Sequence, residues 1–307
     1  MIPKKRAVLP VAAPTDGFLS ERTWRVTRRV TGRVSLYLVL ALGLVIFVAP
    51  MYWLAASSLK PEGDVFEYPP NFLPSQILWS NYPEAIASFP LVNSLKNSAF
   101  IIVTVELGRL LTASMAAFVF ARIRFPFRDK LFLLVLSTMM IPYHVTLVPQ
   151  YLIFRDLNML DTPYPLILPN LFGGGAFFVF LLRQFFLTIP QDYDDAARID
   201  GCGNFGIYWR IIMPISLPAL GAVAIFTFMW TWEDFLGPVI YLNTPDNHTV
   251  SVAYVNWQRK SGMTYAFWKN WNHIMAMGTV ITLPPVLVFF FAQRYFIQGV
   301  VVSGIKG

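Results

Sequence analysis

The chain has 307 residues, of which 56% are hydrophobic and only 13% are charged, and its mean hydropathy is +0.53. A soluble domain carries roughly 25% charged residues, so this composition excludes an ordinary soluble enzyme or binding module. The formal net charge of +7 would suit a nucleic-acid partner in a soluble chain. Here the cations border long apolar runs, which points to a lipid bilayer and to no nucleic acid.

Several runs approach the roughly 20 apolar residues that a helical span needs, and only helices or closed barrels satisfy the backbone in lipid. The reading is therefore an all-α polytopic membrane protein with six transmembrane helices. Residues 1–33 form a basic cytoplasmic tail, with Lys4, Lys5, Arg6, Arg22, Arg25, Arg28, Arg29 and Arg33 against Asp16 and Glu21. The tail is too long, and the apolar run 36–56 too extended, for a cleaved signal peptide. Residues 34–307 make the six-span transmembrane domain. The loop 57–93 is rich in acids and proline, with Lys60 as the cation beside the first span, and is expected outside. A second span covers 98–120. Arg122, Arg124, Arg128 and Lys130 then crowd a short connection, which belongs inside. The third span, 131–154, contains Pro142 and Pro149. A short outer connection carries Arg155, Asp156 and Asp161. The fourth span, 164–188, has Gly173, Gly174 and Gly175 as a kink or close-packing point. The fifth covers 211–242, its first turns interfacial. An outer loop follows at 243–273, and the sixth span, 274–297, contains Pro284 and Pro285. Six spans put both termini on the cytoplasmic side.

Between the fourth and fifth spans lies a polar stretch, 191–214. Asp192, Asp194 and Asp195 follow Pro190, and acids in a first turn favour a helix start. Gly201 and Gly203 end that helix, and Phe205, Tyr208, Trp209 and Ile211 begin a second, more apolar one. The pattern is helix, glycine turn, helix at a membrane surface. It is either a docking element or an amphipathic linker without a partner. The single cysteine, Cys202, takes a small-residue place beside Gly201, which favours packing over reactivity.

The run Asp195-Ala196-Ala197-Arg198-Ile199-Asp200-Gly201, with Ile211 and Pro214 beyond it, resembles the EAA motif of ABC-importer permeases. Asp195 stands where that family usually has Glu, and Met213 where it has Leu. The resemblance extends from about residue 45 to the C-terminus. It is closest to the smaller six-span subunit of maltose- and glycerol-phosphate-type permeases. Ser58-Leu59-Lys60-Pro61, Asn81-Tyr82, Leu181-Leu182-Arg183-Gln184-Phe185-Phe186 and Trp232-Glu233-Asp234-Phe235-Leu236-Gly237-Pro238 carry it, with Glu233 and Gly237 as departures.

The resemblance implies that Asp195, Ala196, Ala197, Asp200, Gly201, Ile211 and Pro214 form a coupling helix seated in a cleft of a cytoplasmic ATPase. It implies that Ser303, Gly304 and Lys306 belong to a tail reaching the ATPase dimer. The implied partners are a second, different permease subunit, two ATPase subunits and an extracytoplasmic solute-binding protein, all at a prokaryotic inner membrane. ATP and magnesium would bind those ATPases, and this chain would need no cofactor. The implied work is carbohydrate uptake by alternating access, with an amino acid as the alternative solute.

No Gly-x-x-x-x-Gly-Lys-Ser/Thr run occurs, so nucleotide hydrolysis is not expected here. Gly201-Cys202-Gly203-Asn204-Phe205-Gly206 matches a dinucleotide fingerprint by letter but follows an acidic helix, not a buried strand. His144, His248 and His273 lack metal-ligand spacing. Ser137 and Ser251 have no triad context, which disfavours an intramembrane enzyme. Within the spans, Glu106 and Arg109 stand three apart and are expected to pair on one helix face, structurally or along a pathway. Unpaired, each would cost about 2.5–3.5 kcal/mol. Tyr143, His144, Glu233 and Asp234 are candidates for the translocation pathway, against packing at a kink for the first two and an outer-interface position for the acids.

Overall fold

A computed structural model describes residues 17–172, 174–263 and 270–304. Among these residues every regular element is helical. The chain divides into two units, residues 1–56 and 57–307.

The first unit is built on α1 (Gly17–Ser58), whose apolar part, Thr31–Ser58, is long enough to span a bilayer. Leu38, Leu44 and Phe47 are exposed along it, as expected of a helix whose solvent is lipid. The boundary read at 33/34 falls inside this continuous helix.

The second unit begins with a structured outer connection. A 3-10 turn at Glu62–Phe66 and α2 (Asn81–Ser88) follow α1. Lys60 is fully buried there, and its Nζ donates to the Asn71 carbonyl at 2.6 Å. Burial pushes its ammonium pKa down, against Asp64 and Glu67, which pull it up. The Asn81 amide donates to the Ser58 and Lys60 carbonyls at 2.8 and 2.9 Å, which closes the connection.

The core is α3 (Leu91–Arg122), packed against α7 (Ala176–Thr188) and α11 (Leu217–Glu233). Ala113 and Ala117 on α3 are fully buried and let Phe178, Leu182 and Phe186 of α7 approach closely. Small residues do this work in membranes, where lipid leaves helix packing to close van der Waals contact. The last long helix is α14 (Trp271–Gly304).

Three expected spans are broken. The third is α4 (Arg128–Ser137) with a short 3-10 extension, then α5 (Tyr143–Asp156), bent by 91°. Ile141 is extended, the conformation a following proline imposes, and Pro142 caps α5. The fourth is α6 (Tyr164–Leu171) and α7, separated by the glycine run, where Gly174 and Gly175 have φ of +58° and +97°. The fifth bends by 78° at Ser216 between 204–215 and α11. By length and composition the described helices hold four spans, or six when each bent pair counts as one. After α11 come α12 (Leu236–Tyr241) and α13 (Val250–Met263), so the stretch expected as an outer loop is in good part helical. The short elements between α7 and α11 are α8 (Asp192–Ile199), α9 (Asn204–Ile207), a π turn at Tyr208–Ile212 and α10 (Met213–Ile215).

Candidate functional site

Two places gather the chemistry-bearing side chains. The first is the polar stretch after α7. Helix α8 starts on three acids and ends at Asp200. Gly201 then turns the chain with φ +81°, a conformation in which a side chain is strained. A Cβ there would meet nothing within 4 Å, so backbone conformation and not crowding within this chain demands the glycine. Ile207 and Ile212 bury the following segment in the core, and the Tyr208 hydroxyl shares a 2.8 Å hydrogen bond with Ser114 of α3.

Of the expected coupling residues, Asp195, Ala196, Asp200, Gly201 and Pro214 are exposed, Ile211 is half-buried and Ala197 is buried. Asp195 pairs with Arg198 at 3.2 Å on the surface. Ile199 is 87% exposed and Phe205 70%, an apolar rim beside the acids that nothing in the described chain covers.

A further tie between this stretch and the core is Asp194, which sequence reading took only as a helix-start acid. Its carboxylate faces the Arg122 guanidinium at 3.9 Å, with both side chains almost fully buried. Arg122 also donates to the Ile189 carbonyl at 2.7 Å. The end of α3 is thereby fastened to the start of α8. Helical period could have hinted at this, since Asp194 and Ala197 are three apart and share the inward face. A polar cavity of about 450 Å3 lies beside the pair, lined by Arg124, Gln191, Asp195 and Arg198 among others.

The second place is a cavity of about 680 Å3 among α3, α5, α6, α11 and α12. Tyr143 and Asp234 line it, as does Arg109, whereas His144 and Glu233 do not. His144 is exposed with its ring against Tyr143, and Glu233 is exposed at the end of α11. Asp234 sits in the break between α11 and α12, where its Oδ1 accepts from the Gly237 amide at 3.1 Å.

The expected Glu106–Arg109 ion pair is not closed. Arg109, 5% exposed, donates instead to Asn170 of α6 and to Thr227 of α11, and lies 4.6 Å over the Phe178 ring. Both Glu106 oxygens are buried without a hydrogen-bond partner. Helical spacing brings the two residues to one side of α3, but neutral acceptors on neighbouring helices take the guanidinium. Gly174 fits over that guanidinium: a Cβ there would collide with Arg109 Nε.

Sequence reading also passed over Asp161. Its Oδ1 accepts the Asn243 and Thr244 amides at 2.9 Å each, and its amide donates to the Tyr241 carbonyl at 2.8 Å. Hydrogen bonds from the Thr244 hydroxyl and amide, then Asn247 and Asn243, hold its carboxyl down at about 2. Asp161 itself has φ +59°, in the region Asp tolerates better than most residues. The backbone of Ser303 and Gly304 belongs to α14; their side chains and all of Lys306 lie outside the described residues. No group of His, Cys, Asp and Glu among the described residues could hold a metal ion.

Broken spans around a cavity, together with an exposed helix–turn–helix tied to the helical core, are the features to set beside known membrane proteins. Residues 110–302 match the model of the binding-protein-dependent transport system inner membrane component family, and the chain belongs to that family. It is 31% identical over 283 residues to the sn-glycerol-3-phosphate transport system permease protein UgpE of Agrobacterium fabrum, covering 90% of this chain and 98% of that one. It is 30% identical over 257 residues to a probable ABC transporter permease protein of Pyrococcus horikoshii, covering 83% and 91%. Its fold is that of a chain in a bacterial ABC transporter involved in the import of the acidic polysaccharide alginate, with a TM-score of 0.74, 20% identity and coverage of 94% and 100%. A second alginate transporter structure, in complex with a pentasaccharide-bound periplasmic protein, aligns with a TM-score of 0.62 at 14% identity. The importer-permease family that the EAA-like run resembles is therefore the family found, and the glycerol-phosphate permease among the relatives agrees with the carbohydrate-type resemblance carried by the other segments.

Proposed function

We propose that this chain is one of two different permease subunits of an ATP-driven importer for a carbohydrate or polyol, working by alternating access. The observation that carries the proposal is the exposed rim of Ile199 and Phe205 beside Asp195 and Asp200, built around a glycine at φ +81°. An exposed apolar rim marks a surface that a protein or the membrane covers, and the acids beside this one favour a protein partner over lipid. The partner is a cytoplasmic ATPase, two copies of which hold ATP and magnesium, and an external binding protein delivers the solute. The basic N-terminal region and the Arg122–Lys130 connection then face the cytoplasm with both termini. The solute class is supported by the glycerol-phosphate permease among the relatives.

The test is paired: pull-down of the ATPase, and solute-stimulated ATP hydrolysis in nanodiscs. Gly201→Val should lose both, because a β-branched side chain opposes the left-handed turn. Asp195→Asn should lose part of each, and Asp195→Glu neither. Normal coupling in Gly201→Val would make the stretch a linker and remove the proposal's support. Stimulation by amino acids alone, with none by sugars or polyol phosphates, would overturn the solute class.

A further inference from the structure

The membrane cavity contains polar atoms that the fold leaves unpaired. Tyr241 is 2% exposed, its ring stacked on Tyr151 at 6.2 Å and edge-on to Phe154 at 5.8 Å. Its hydroxyl, on a residue lining the cavity, has no hydrogen-bond partner. A buried hydroxyl without a partner is unfavourable, and its persistence calls for a partner supplied from elsewhere. On the same cavity, the Asp234 carboxylate receives a hydrogen bond from the Gly237 amide and none from a described side chain; the Ser251 hydroxyl donates to its backbone carbonyl instead. Gln150 and Thr231 line it with side chains that make no hydrogen bond among the described residues. Trp230 packs on Phe177, Phe178 and Phe226 and leaves about half of its surface open.

The charges of the lining decide what class of ligand fits. Among the described residues they are Arg109 and Asp234. Each terminal nitrogen of Arg109 donates to a protein acceptor, Thr227 or Asn170, and its Nε, which has no partner, lies buried against Gly174, so the guanidinium does not present a free bidentate edge to a phosphate or carboxylate. An anion would instead meet the Asp234 carboxylate. A hydroxyl can donate to Asp234 and accept from Tyr241, and an indole face takes the apolar face of a sugar ring. The volume, about 680 Å3, lies within the roughly 300–1,000 Å3 range of small-molecule sites.

We propose that this cavity is a solute subsite belonging to this chain itself, and that it holds the uncharged, hydroxyl-bearing part of the solute. Trp230 is its stacking platform, and Tyr241, Asp234, Gln150 and Thr231 bond its hydroxyls. The proposal rests on the importer reading above. It adds that recognition inside the membrane is shared by this subunit and directed at hydroxyls, not at an anionic group.

The sole cysteine makes the test clean. In a Cys202→Ser background, Thr231→Cys is labelled with a membrane-impermeant thiol reagent in proteoliposomes holding the complete importer. The probes are glycerol, maltose and inorganic phosphate at high millimolar concentration. Glycerol or maltose should slow labelling several-fold, and phosphate should not. Adding Tyr241→Phe should raise the concentration for half-protection about tenfold, the order of one lost hydrogen bond. Its thermal midpoint should stay unchanged or rise, because the removed hydroxyl had no partner in the protein. Protection by phosphate, protection by no probe, or unchanged protection in Tyr241→Phe would overturn the proposal. Labelling needs no ATP turnover, so failure of the importer reading would show separately, as wild-type proteoliposomes that hydrolyse no ATP in response to solute.

Discussion

Arg109 and Arg122 lie about 20 Å apart along α3 at 1.5 Å per residue, and the fold treats them in opposite ways. Both are almost completely buried. Arg122, at the end of the helix, faces an acid from another element, Asp194 of α8, and fastens the polar stretch to the core. Arg109, mid-helix, has an acid one turn away on its own helix and does not bond it; Asn170 and Thr227 take its terminal nitrogens. A guanidinium is planar and long, so it reaches acceptors across a helix interface that a one-turn neighbour cannot match in direction. Mid-span, neutral acceptors neutralise no charge but satisfy the donors in fixed geometry, and they tie α3 to α6 and α11. The first contact joins the end of α3 to α8, and the second ties the broken fourth span to α3 and α11.

That contrast can be broken most forcefully at Asp194. Asp194→Ala strands a buried cation and should destabilise by about 3–5 kcal/mol, whereas Arg122→Met with Asp194→Leu should recover most of the loss. Thermal unfolding in nanodiscs reads both, and a double variant as unstable as the single one would deny the pair. Next in size is Gly174→Ala, which needs φ +58° and drives a methyl into Arg109. Gly201→Ala shares the positive φ but meets open space, so it should cost only about 1–2 kcal/mol. Equal thermal shifts for the two would mean that Arg109 moves aside freely.

Smaller again is Glu106→Gln. The carboxylate has no hydrogen-bond partner, so removing its charge should leave stability unchanged or raise it by about 1 kcal/mol. In a double-mutant cycle, Glu106→Gln with Arg109→Gln should couple less than Arg122→Met with Asp194→Leu. The reverse order would restore the ion pair expected from spacing. The smallest effect belongs to Asp161, which holds the 242–247 turn from a solvated position. Because its pKa is depressed to about 2, its contribution is whole above the ordinary carboxylate value of about 3.9 and is lost as pH falls through about 2. Amide-exchange protection of Asn243 and Thr244, corrected for the intrinsic rate, should fade over that window. Asp161→Asn should lack the excess protection at neutral pH, and a pH-independent wild type would contradict the assignment.

By itself the sequence determined that this chain lives in a membrane, how many apolar segments it carries, and that a glycine turn divides an acidic helix from an apolar one. Those are properties of composition and of local backbone preference. Pro142 and the glycine run at 173–175 also marked two of the breaks, since proline and glycine act through their own φ and ψ. Tertiary structure alone decided the partners of the charges. Arg122 looked like a topology signal and became half of a buried pair. Glu106 and Arg109 looked like a pair, yet no hydrogen bond closes between them and the guanidinium bonds Asn170 and Thr227. Tyr241 carried no signal at all in a chain with 13 tyrosines, and its unpaired hydroxyl appears only when the neighbouring helices close around it. Spacing along one helix says which side chains share a face. Which acceptor a long side chain reaches depends on neighbouring helices, brought together by small residues such as Ala113 and Ala117, at distances no single segment encodes.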